Sequence, residues 1–260
     1  MKRVTSADNP RYRVLRKLSQ SARERRKAGL TLLDGVHLLS AYAAGGAQPV
    51  DIAVSATGAV DPEIAGLLAR LAPLQPLLLT DALFATLSTV ATPTGIVASV
   101  PTPQPTLDPV ALDACVWLED IQDPGNLGSI LRSAAAAGVR QVCLSKTSAQ
   151  AWSPRVLRAG MGAHFLLDIY EDCDLVALAH DFGGRVLAAS GSAPRSVFDC
   201  DLRGRVALLF GNEGAGVSPA LRALVSEAVA IPMPGAMESP NVAAAAAICL
   251  FERVRQGRGQ

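Results

Sequence analysis

Residues 207–218 have the sequence ALLFGNEGAGVS, and this stretch indicates the fold of the C-terminal half of the chain. An apolar run followed at once by glycines is typical of a strand that is buried on both faces and ends in a tight loop. Gly211, Gly214 and Gly216 would allow backbone groups to approach a ligand closely. The loop has neither the Gly-Lys-Ser/Thr of a P-loop nor a GxGxxG pattern, so neither a triphosphate nor a dinucleotide is indicated.

Predicted strands and helices alternate through the rest of residues 113–260. We expect further buried strands at 115–118, 139–144, 165–169, 186–189, 206–210 and 228–231. We expect helices at about 127–137, 154–160, 174–182, 218–225 and 241–255. This alternation predicts an α/β fold with a mostly parallel sheet and helices on both of its faces.

The first hundred residues are expected to form a smaller α/β unit. Helices are predicted at about 10–28, 36–44, 61–71 and 81–87, and strands at 30–33, 51–55, 77–79 and 95–100. The sequence PTPQP that follows at residues 101–105 is rich in proline and has no periodicity, which is typical of a linker. The predicted organisation is therefore a domain over 1–100, a linker over 101–112 and a second domain over 113–260.

Basic residues concentrate at the start of the chain. Residues 1–30 hold ten Lys or Arg and two acidic residues, a net charge of +8, so the remainder carries −7 because the whole chain is +1. A basic segment of this kind predicts a polyanionic partner such as a nucleic acid, and a solvated helical face is the alternative. An apolar stripe of Val14, Leu15 and Leu18 indicates an anchored helix, and Tyr12 could stack on a base. The nucleic-acid contacts are expected from Arg11, Arg13, Arg16, Arg23, Arg25 and Arg26.

A second loop of interest follows the predicted strand that ends at Leu118. Ligands bind at such places in open α/β sheets. The loop contains a Pro-Gly turn and leads into a helix at Asn126, which could serve simply as the N-cap. Arg132 lies seven residues after Gly125 and can share its side of the helix. An arginine among apolar neighbours on a packed helix favours an anionic partner.

A third loop, IPMPGAMESPN at residues 231–241, leads into the last predicted helix. Ser239 is interpreted as its N-cap and Pro240 as its first helical residue, the position that proline favours. This structural interpretation accounts for both residues. It does not account for Asn241, a poor helix former, directly after them.

Together the three loops resemble the SpoU (TrmH-type) branch of the SPOUT RNA methyltransferases. The resemblance covers about residues 115–255 and rests on three motifs in order: Asn126 and Arg132; Gly211, Glu213, Gly214 and Gly216; and Ile231, Pro232, Met233, Gly235, Ser239, Asn241 and Val242. The N-terminal pattern, which includes Asn9-Pro10 and Leu33-Asp34-Gly35, is similar to the accessory substrate-binding domain of that family.

The resemblance implies a fold, a reaction and a set of roles. It implies a C-terminal α/β trefoil-knot (SPOUT) domain, with the chain end threaded through a loop, and a smaller N-terminal α/β substrate-binding domain. It implies methyl transfer from S-adenosylmethionine to a ribose 2′-hydroxyl in RNA by a homodimer that packs the first and last helices of the catalytic domain. The implied cofactor-binding residues are Gly211, Gly214, Gly216, Ile231, Met233, Gly235 and Pro240, and the implied catalytic residues are Asn126, Arg132, Glu213, Ser239 and Asn241.

The sequence leaves several alternatives open. The RNA can be ribosomal, which the accessory domain and basic segment favour, or transfer RNA. A non-catalytic RNA-binding protein on the same fold is a second class, and the joint presence of the five implied catalytic residues argues against it. A nicotinamide-dependent oxidoreductase is a third class, and the absence of GxGxxG argues against it. The role of Arg132 in proton transfer is also open, because a guanidinium is a poor base.

Composition indicates the cellular setting. Five scattered cysteines without a CxxC pair and three separated histidines predict neither a disulfide framework nor a metal site. No apolar run approaches the roughly 20 residues that a membrane helix needs, and no secretory signal is expected. A reduced, cytoplasmic location fits this composition best.

Overall fold

The computed structural model describes residues 1–88, 93–237 and 239–258. The chain divides into two compact units. Unit 1 consists of Met1–Pro103 and Trp152–Phe165, and unit 2 consists of Gln104–Ala151 and Leu166–Gln260. The sequence-based boundaries differ from this division at residues 152–165, which lie in the expected second domain but group with unit 1.

The elements follow one another along the whole chain. The strands are β1 (Lys2–Val4), β2 (Leu30–Asp34), β3 (Asp51–Ser55), β4 (Leu77–Leu79), β5 (Ile96–Pro101), β6 (Cys115–Leu118), β7 (Gln141–Ser145), β8 (Asp168–Cys173), β9 (Arg185–Ala189), β10 (Arg195–Ser196), β11 (Val206–Phe210) and β12 (Glu227–Ala230). The α-helices are α1 (Pro10–Gln20), α2 (Ala22–Ala28), α3 (Val36–Ala44), α4 (Pro62–Arg70), α5 (Asp81–Ala85), α6 (Pro124–Ala136), α7 (Pro154–Gly160), α8 (Leu175–Asp181), α9 (Pro219–Arg222) and α10 (Val242–Gly257).

Unit 1 is built on a five-stranded mixed sheet with the order β1-β4-β3-β5-β2. Strands β1, β4 and β3 are parallel to one another, whereas β5 runs antiparallel to both β3 and β2. Helix α1 begins with Asn9, whose side chain accepts hydrogen bonds from two backbone N–H groups of the first turn, and with Pro10 at a favoured first-turn position. The α/β character predicted for this part of the chain is confirmed, and β1 is a strand that the sequence analysis did not predict.

Helix α1 buries a different stripe from the predicted one. Leu15 and Leu18 are buried as expected, but their companion is Tyr12, which is 1% exposed, whereas Val14 is 48% exposed. The Tyr12 hydroxyl lies 2.5 Å from the Thr86 hydroxyl. The prediction that Tyr12 could stack on a base is therefore wrong, because the ring fills the core beneath the helix.

The segment at 152–165 is held in unit 1 by polar and aromatic contacts. The Thr31 hydroxyl on β2 donates a buried hydrogen bond of 2.7 Å to the Trp152 carbonyl oxygen. The rings of Tyr42 on α3 and Phe165 meet edge to face, with 5.4 Å between their centroids. These contacts explain why the segment groups with the first unit despite its place in the sequence.

Unit 2 is built on a seven-stranded sheet with the order β10-β12-β9-β11-β6-β7-β8. All of its strand pairs are parallel, which confirms the sequence prediction. Strand β11, the apolar run that precedes the glycine loop, lies in the middle of the sheet and is buried along its whole length. Its central position places the following glycine loop between the ends of β9 and β6.

Several element boundaries in unit 2 differ from prediction, and two of the differences change the element itself. The strand expected at 165–169 begins only at Asp168, because Ala163–Leu166 forms a 3-10 turn. The short edge strand β10 was not predicted, since two residues carry no periodic pattern. Part of the expected linker also belongs to this unit, because Leu112 is buried and the Arg205 guanidinium donates to the carbonyl oxygens of Pro109 and Val110.

Helices α6 and α10 pack against each other in unit 2. Both contain runs of alanine, which allow close approach of two helices, and Ala134 and Ala246 are fully buried. Among the described residues, no helix combines the length and apolar character needed to cross a bilayer.

Candidate active site

A cavity of about 670 Å³ opens at the carboxyl ends of β9, β11 and β12 within unit 2. Its size lies within the roughly 300–1,000 Å³ typical of small-molecule sites. Open parallel sheets bind ligands at this edge. The sequence-predicted residues that line it are Gly211, Glu213, Gly214, Gly216, Ile231, Met233, Ser239, Pro240 and Asn241.

Gly211 is required by the way the glycine loop folds back on itself. A Cβ atom at this position would lie 2.4 Å from the backbone carbon of Gly216 and the backbone nitrogen of Val217. Any side chain would therefore push two backbone segments apart. Gly216 has φ +70°, a conformation that glycine adopts without strain. At its glycines the loop thus presents backbone to the cavity, beside side chains such as that of Glu213.

Three predicted catalytic residues from three different loops form one hydrogen-bonded chain. The Asn126 Nδ2 atom donates to Glu213 Oε1 at 2.8 Å, and the Asn241 Nδ2 atom donates to Asn126 Oδ1 at 2.9 Å. The Asn241 Oδ1 atom accepts in turn from the backbone N–H groups of Ala243 and Ala244 at the start of α10. The network joins the first turn of α6, the glycine loop and the N-terminus of α10.

The glycine loop is also tied to the neighbouring strand end. The Asn212 Nδ2 atom donates to the Asp120 carbonyl oxygen at 3.0 Å, and its Oδ1 atom accepts from the backbone of Gly214 at 2.9 Å. The Glu119 Oε2 atom accepts from the Ser218 backbone N–H at 2.7 Å. These bonds link the ends of β6 and β11, so the loop is held at both of its ends.

The N-caps of α6 and α10 differ from the residues that the sequence suggested. The N-cap of α6 is Asp123, whose carboxylate accepts from the Asn126 backbone N–H at 2.7 Å. The N-cap of α10 is Asn241, not Ser239, and Pro240 precedes the cap instead of opening the helix. The capping role proposed for Ser239 is therefore wrong. The side chain of Asn126 is left free to join the loops.

Arg132 does not line the cavity of its own chain. It is exposed on α6, two turns after Asn126, and no hydrogen bond or ion pair to a described residue holds its guanidinium. Gly235 also lies outside the cavity lining and is exposed. The geometry thus gathers Asn126, Glu213 and Asn241 and leaves Arg132 apart from them.

The sequence analysis missed one cavity wall and one charged residue. The wall is the loop after β9, and it consists of Ser190, Gly191, Ser192, Ala193 and Pro194. A run of small residues after a predicted strand was the available signal, but only the strand order puts β9 beside β11. The missed charged residue is Arg222 at the end of α9, which also lines the cavity.

The arginines expected to contact nucleic acid all lie in unit 1, but they are not equally available. Arg11 makes a two-pronged ion pair with Asp51, with contacts of 2.9 and 2.5 Å, and this hydrogen bonding raises the pKa of its guanidinium. The Arg25 guanidinium donates to the Leu18 carbonyl oxygen at 2.9 Å and thereby joins α2 to α1. The side chains of both residues therefore make stabilising contacts within unit 1.

Of the other predicted arginines of unit 1, Arg13, Arg16 and Arg23 are more open to a partner. Arg13 is paired with Asp8 at 2.8 Å on the surface, where such pairs contribute little. Arg16 and Arg23 are exposed, and no hydrogen bond or ion pair to a described residue engages their guanidinium groups. They present cationic groups to solvent at the basic end of the chain.

The cavity fits a nucleoside-like ligand better than a metal ion. A glycine loop with exposed backbone, two serines in the β9 loop and apolar groups such as Ile231 and Met233 suit a flat ring and a ribose. Across residues 1–88, 93–237 and 239–258, no group of three His, Cys, Asp or Glu side chains is arranged to hold a metal ion.

Two family models match the chain. The model described as the SpoU rRNA Methylase family matches residues 113–251. The model described as the MRM3-like substrate binding domain matches residues 9–98.

Three curated proteins illustrate the range of identity and coverage among related sequences. An uncharacterised tRNA/rRNA methyltransferase of Synechocystis sp. is 32% identical over 97% of this chain and 93% of its own length. The 23S rRNA (guanosine-2′-O-)-methyltransferase RlmB of Xanthomonas campestris is 39% identical over 55% of this chain and 58% of its own length. The 23S rRNA guanosine 2′-O-methyltransferase RlmP of Bacillus subtilis is 28% identical over 96% of this chain and 98% of its own length.

Solved structures of similar fold cover almost the entire chain. An RNA 2′-O ribose methyltransferase has a TM-score of 0.82 and 29% identity, covering 98% of this chain and 99% of its own. The SpoU methyltransferase AviRb from Streptomyces viridochromogenes, in complex with the cofactor AdoMet, has a TM-score of 0.82 and 27% identity, covering 96% and 99%.

Proposed function

The chain belongs to the SpoU rRNA methylase family, and from this premise we propose that it transfers a methyl group from S-adenosylmethionine to a ribose 2′-hydroxyl in ribosomal RNA. The observation that carries the proposal is the chain of hydrogen bonds from Glu213 through Asn126 to Asn241 at the edge of the cavity. The names of the RlmB and RlmP relatives support ribosomal RNA as the substrate.

The cavity in unit 2 is proposed as the cofactor site. S-adenosylmethionine supplies an electrophilic methyl group on a sulfonium. Gly211, Gly214 and Gly216 would hold the cofactor through the loop backbone, together with Ile231 and other residues of the third loop. Gly235, which lies outside the cavity lining, is the least supported member of the predicted set.

Positioning is proposed as the main catalytic contribution. Displacement at the methyl group requires the attacking oxygen, the carbon and the sulfur in line, and orientation of this kind can supply roughly 7–11 kcal/mol in favourable cases. Asn126, Glu213 and Asn241 would fix the three loops around the reacting ribose. Ser239, exposed beside Asn241, would contact the target nucleotide from the third loop.

Arg132 is proposed to bind the RNA backbone next to the target ribose and to stabilise negative charge on the attacking oxygen. Its exposure and its free guanidinium support contact with a phosphate. Electrostatic stabilisation of developing charge is a large contribution in many enzymes. Arg132 does not line the cavity of its own chain, so this role requires RNA bound outside the cavity over α6, or a second copy of the chain.

A homodimer is proposed, and the outer face of α10 supports it. Ala244, Ile248 and Phe251 follow one another at helical spacing, and Phe251 is 50% exposed. An apolar stripe of this kind favours a partner helix. Pairing through α6 and α10 would bring the exposed Arg132 face of one copy close to the second copy.

A trefoil knot and a cytoplasmic location complete the proposal. Threading of the α10 end through a covering loop would give the third loop its place in the cavity wall. Five free cysteines support a reducing compartment. In the same terms, we propose residues 1–100 as the substrate-binding domain, 101–112 as its connection and 113–260 as the catalytic domain.

Mapping of 2′-O-methyl groups in total RNA tests the proposed function. Cells that lack the protein should lose one or a few methyl groups in ribosomal RNA, and the wild-type gene should restore them. Loss of methyl groups only from transfer RNA would contradict the ribosomal substrate. An unchanged methylation map, with no S-adenosylmethionine binding by calorimetry, would contradict the enzyme.

A further inference from the structure

Charge is scarce in the cavity. Of the described residues that line it, only Glu213 and Arg222 carry a charge at neutral pH. The Glu213 carboxylate already accepts a hydrogen bond from Asn126. Arg222 is therefore the single cation that the described lining offers to a ligand.

The Arg222 guanidinium is fixed against the glycine loop. Its Nη2 atom donates to the Val217 carbonyl oxygen at 3.0 Å and lies 3.8 Å from the position that a Cβ atom of Gly216 would occupy. A guanidinium has five N–H donors, and no other hydrogen bond or ion pair to a described residue engages them. Arg222 is thus oriented by one bond while most of its donors are free.

The groups of the proposed cofactor differ in charge. S-adenosylmethionine has a cationic sulfonium, a cationic ammonium and an anionic carboxylate, so a cation in its pocket favours the carboxylate and opposes the other two groups. Arginine binds carboxylates with paired hydrogen bonds, which are stronger than neutral ones. We propose that Arg222 recognises the carboxylate of the methionyl group and so selects the amino-acid end of the cofactor. The inference rests on the proposed function of the cavity.

Calorimetry with two compounds that differ only at the carboxylate tests the inference. The probes are S-adenosylmethionine and its decarboxylated form, which keeps the adenosine, the sulfonium and the amine. The wild-type protein should bind S-adenosylmethionine more tightly. Arg222→Ala should weaken the binding of S-adenosylmethionine about ten- to a hundredfold, the range for a hydrogen bond to a charged group, and should leave binding of the decarboxylated form within about twofold.

Two further variants and a control make the outcome decisive. Arg222→Lys keeps the charge and should retain part of the preference, whereas Arg222→Gln should lose it while keeping a donor for the Val217 carbonyl oxygen. Arg140→Ala, an exposed arginine of the same unit outside the cavity lining, should change neither affinity. If Arg222→Ala binds neither compound, the affinities of Arg222→Gln for the two compounds decide between the outcomes.

The failures of the two proposals are distinguishable. If the wild-type protein binds neither compound, the proposed cofactor and enzyme function are overturned. If the wild-type protein binds S-adenosylmethionine, but Arg222→Gln loses affinity for both compounds equally or for neither, only the role of Arg222 is overturned.

Discussion

Asn126 connects two loops of the site with a single amide. Its Nδ2 atom donates to Glu213, and its Oδ1 atom accepts from Asn241, so each end of the amide has one defined partner. Asn241 is oriented in the same way, because its own oxygen caps α10. Each hydrogen bond in this chain has a fixed donor and a fixed acceptor. A substitution that replaces a donor with an acceptor would therefore break the chain.

Asn126→Asp should lower methyl transfer while the protein remains folded. The new carboxylate would face Glu213 without a donor, and an unsatisfied polar group costs about 1–3 kcal/mol, which is roughly a 5- to 150-fold loss of rate. Methyl incorporation into RNA measures the rate, and thermal melting measures folding. Ser129→Ala on the exposed side of the same helix is the control and should leave the rate unchanged. Wild-type activity in Asn126→Asp would remove the network from the mechanism.

Arg132→Ala should separate chemistry from cofactor binding. Loss of a donor to developing negative charge typically costs about 10²–10³ in rate, so methyl transfer should fall by that amount. Affinity for S-adenosylmethionine should stay within about twofold, because Arg132 lies outside the cavity lining. Single-turnover methylation and calorimetry measure the two effects. Arg140→Ala serves as the matched control, and an equal loss of cofactor binding would refute the assigned role.

At the scale of elements, the glycine loop depends on the close approach of its two ends. Gly211→Ala should destabilise unit 2 by about 1–3 kcal/mol, because its Cβ atom would lie 2.4 Å from backbone atoms and the surrounding structure must shift. Urea unfolding measures the change. Gly235→Ala is the control and should unfold like the wild type, since a Cβ atom there meets nothing within 4 Å. Equal free energies of unfolding for the two variants would show that the loop accommodates a Cβ atom at position 211 without destabilisation.

Helices α1 and α2 carry exposed arginines that the sequence predicts as nucleic-acid contacts. Arg16→Glu combined with Arg23→Glu should weaken RNA binding and lower the salt slope of the binding constant by roughly one to two, about one for each lost phosphate contact. Filter binding at several salt concentrations measures the slope. Arg70→Glu on α4 is the matched control, because Arg70 is exposed in the same unit and is not in the predicted set. An unchanged slope in the double variant would exclude these helices as the RNA contact.

The oligomeric state of the whole molecule decides whether Arg132 of one copy can lie close to a second copy. Phe251→Glu should convert the proposed dimer to a monomer, because a charge would replace the largest exposed apolar group on the outer face of α10. Sedimentation velocity at micromolar concentration measures the state. Val110→Glu, also at an exposed apolar residue of unit 2, should remain dimeric. A monomeric wild-type protein would rule out pairing altogether.

Much of the architecture follows from local patterns in the sequence. The run Val206–Phe210, apolar without interruption, predicts a buried parallel strand, and the structure has it at these residues. Helix α3 is predicted at its observed bounds. The resemblance to the SpoU family, drawn from Asn126, Glu213, Asn241 and their neighbours, is confirmed by the matching family models and relatives.

Other features could not be predicted, for reasons that lie outside local pattern. The tyrosine among the arginines of α1 is core rather than surface, because only packing decides which face of a basic helix is covered. The cap of α10 is Asn241 instead of Ser239, so the helix starts two residues later than expected, where Asn241 also bonds to Asn126. Residues 152–165 belong to unit 1, since contacts such as Thr31 to Trp152 join positions 121 residues apart.

The sequence by itself determined the alternation of strands and helices and the buried strand before the glycine loop. These features depend on side-chain periodicity and on backbone sterics over a few residues. Only the tertiary structure decided that Asn126 meets Glu213, 87 residues away, and Asn241, 115 residues away, while Arg132 stays outside the cavity lining. The order of strands in the parallel sheet sets which loops become neighbours, and that order is a property of packing over the whole unit.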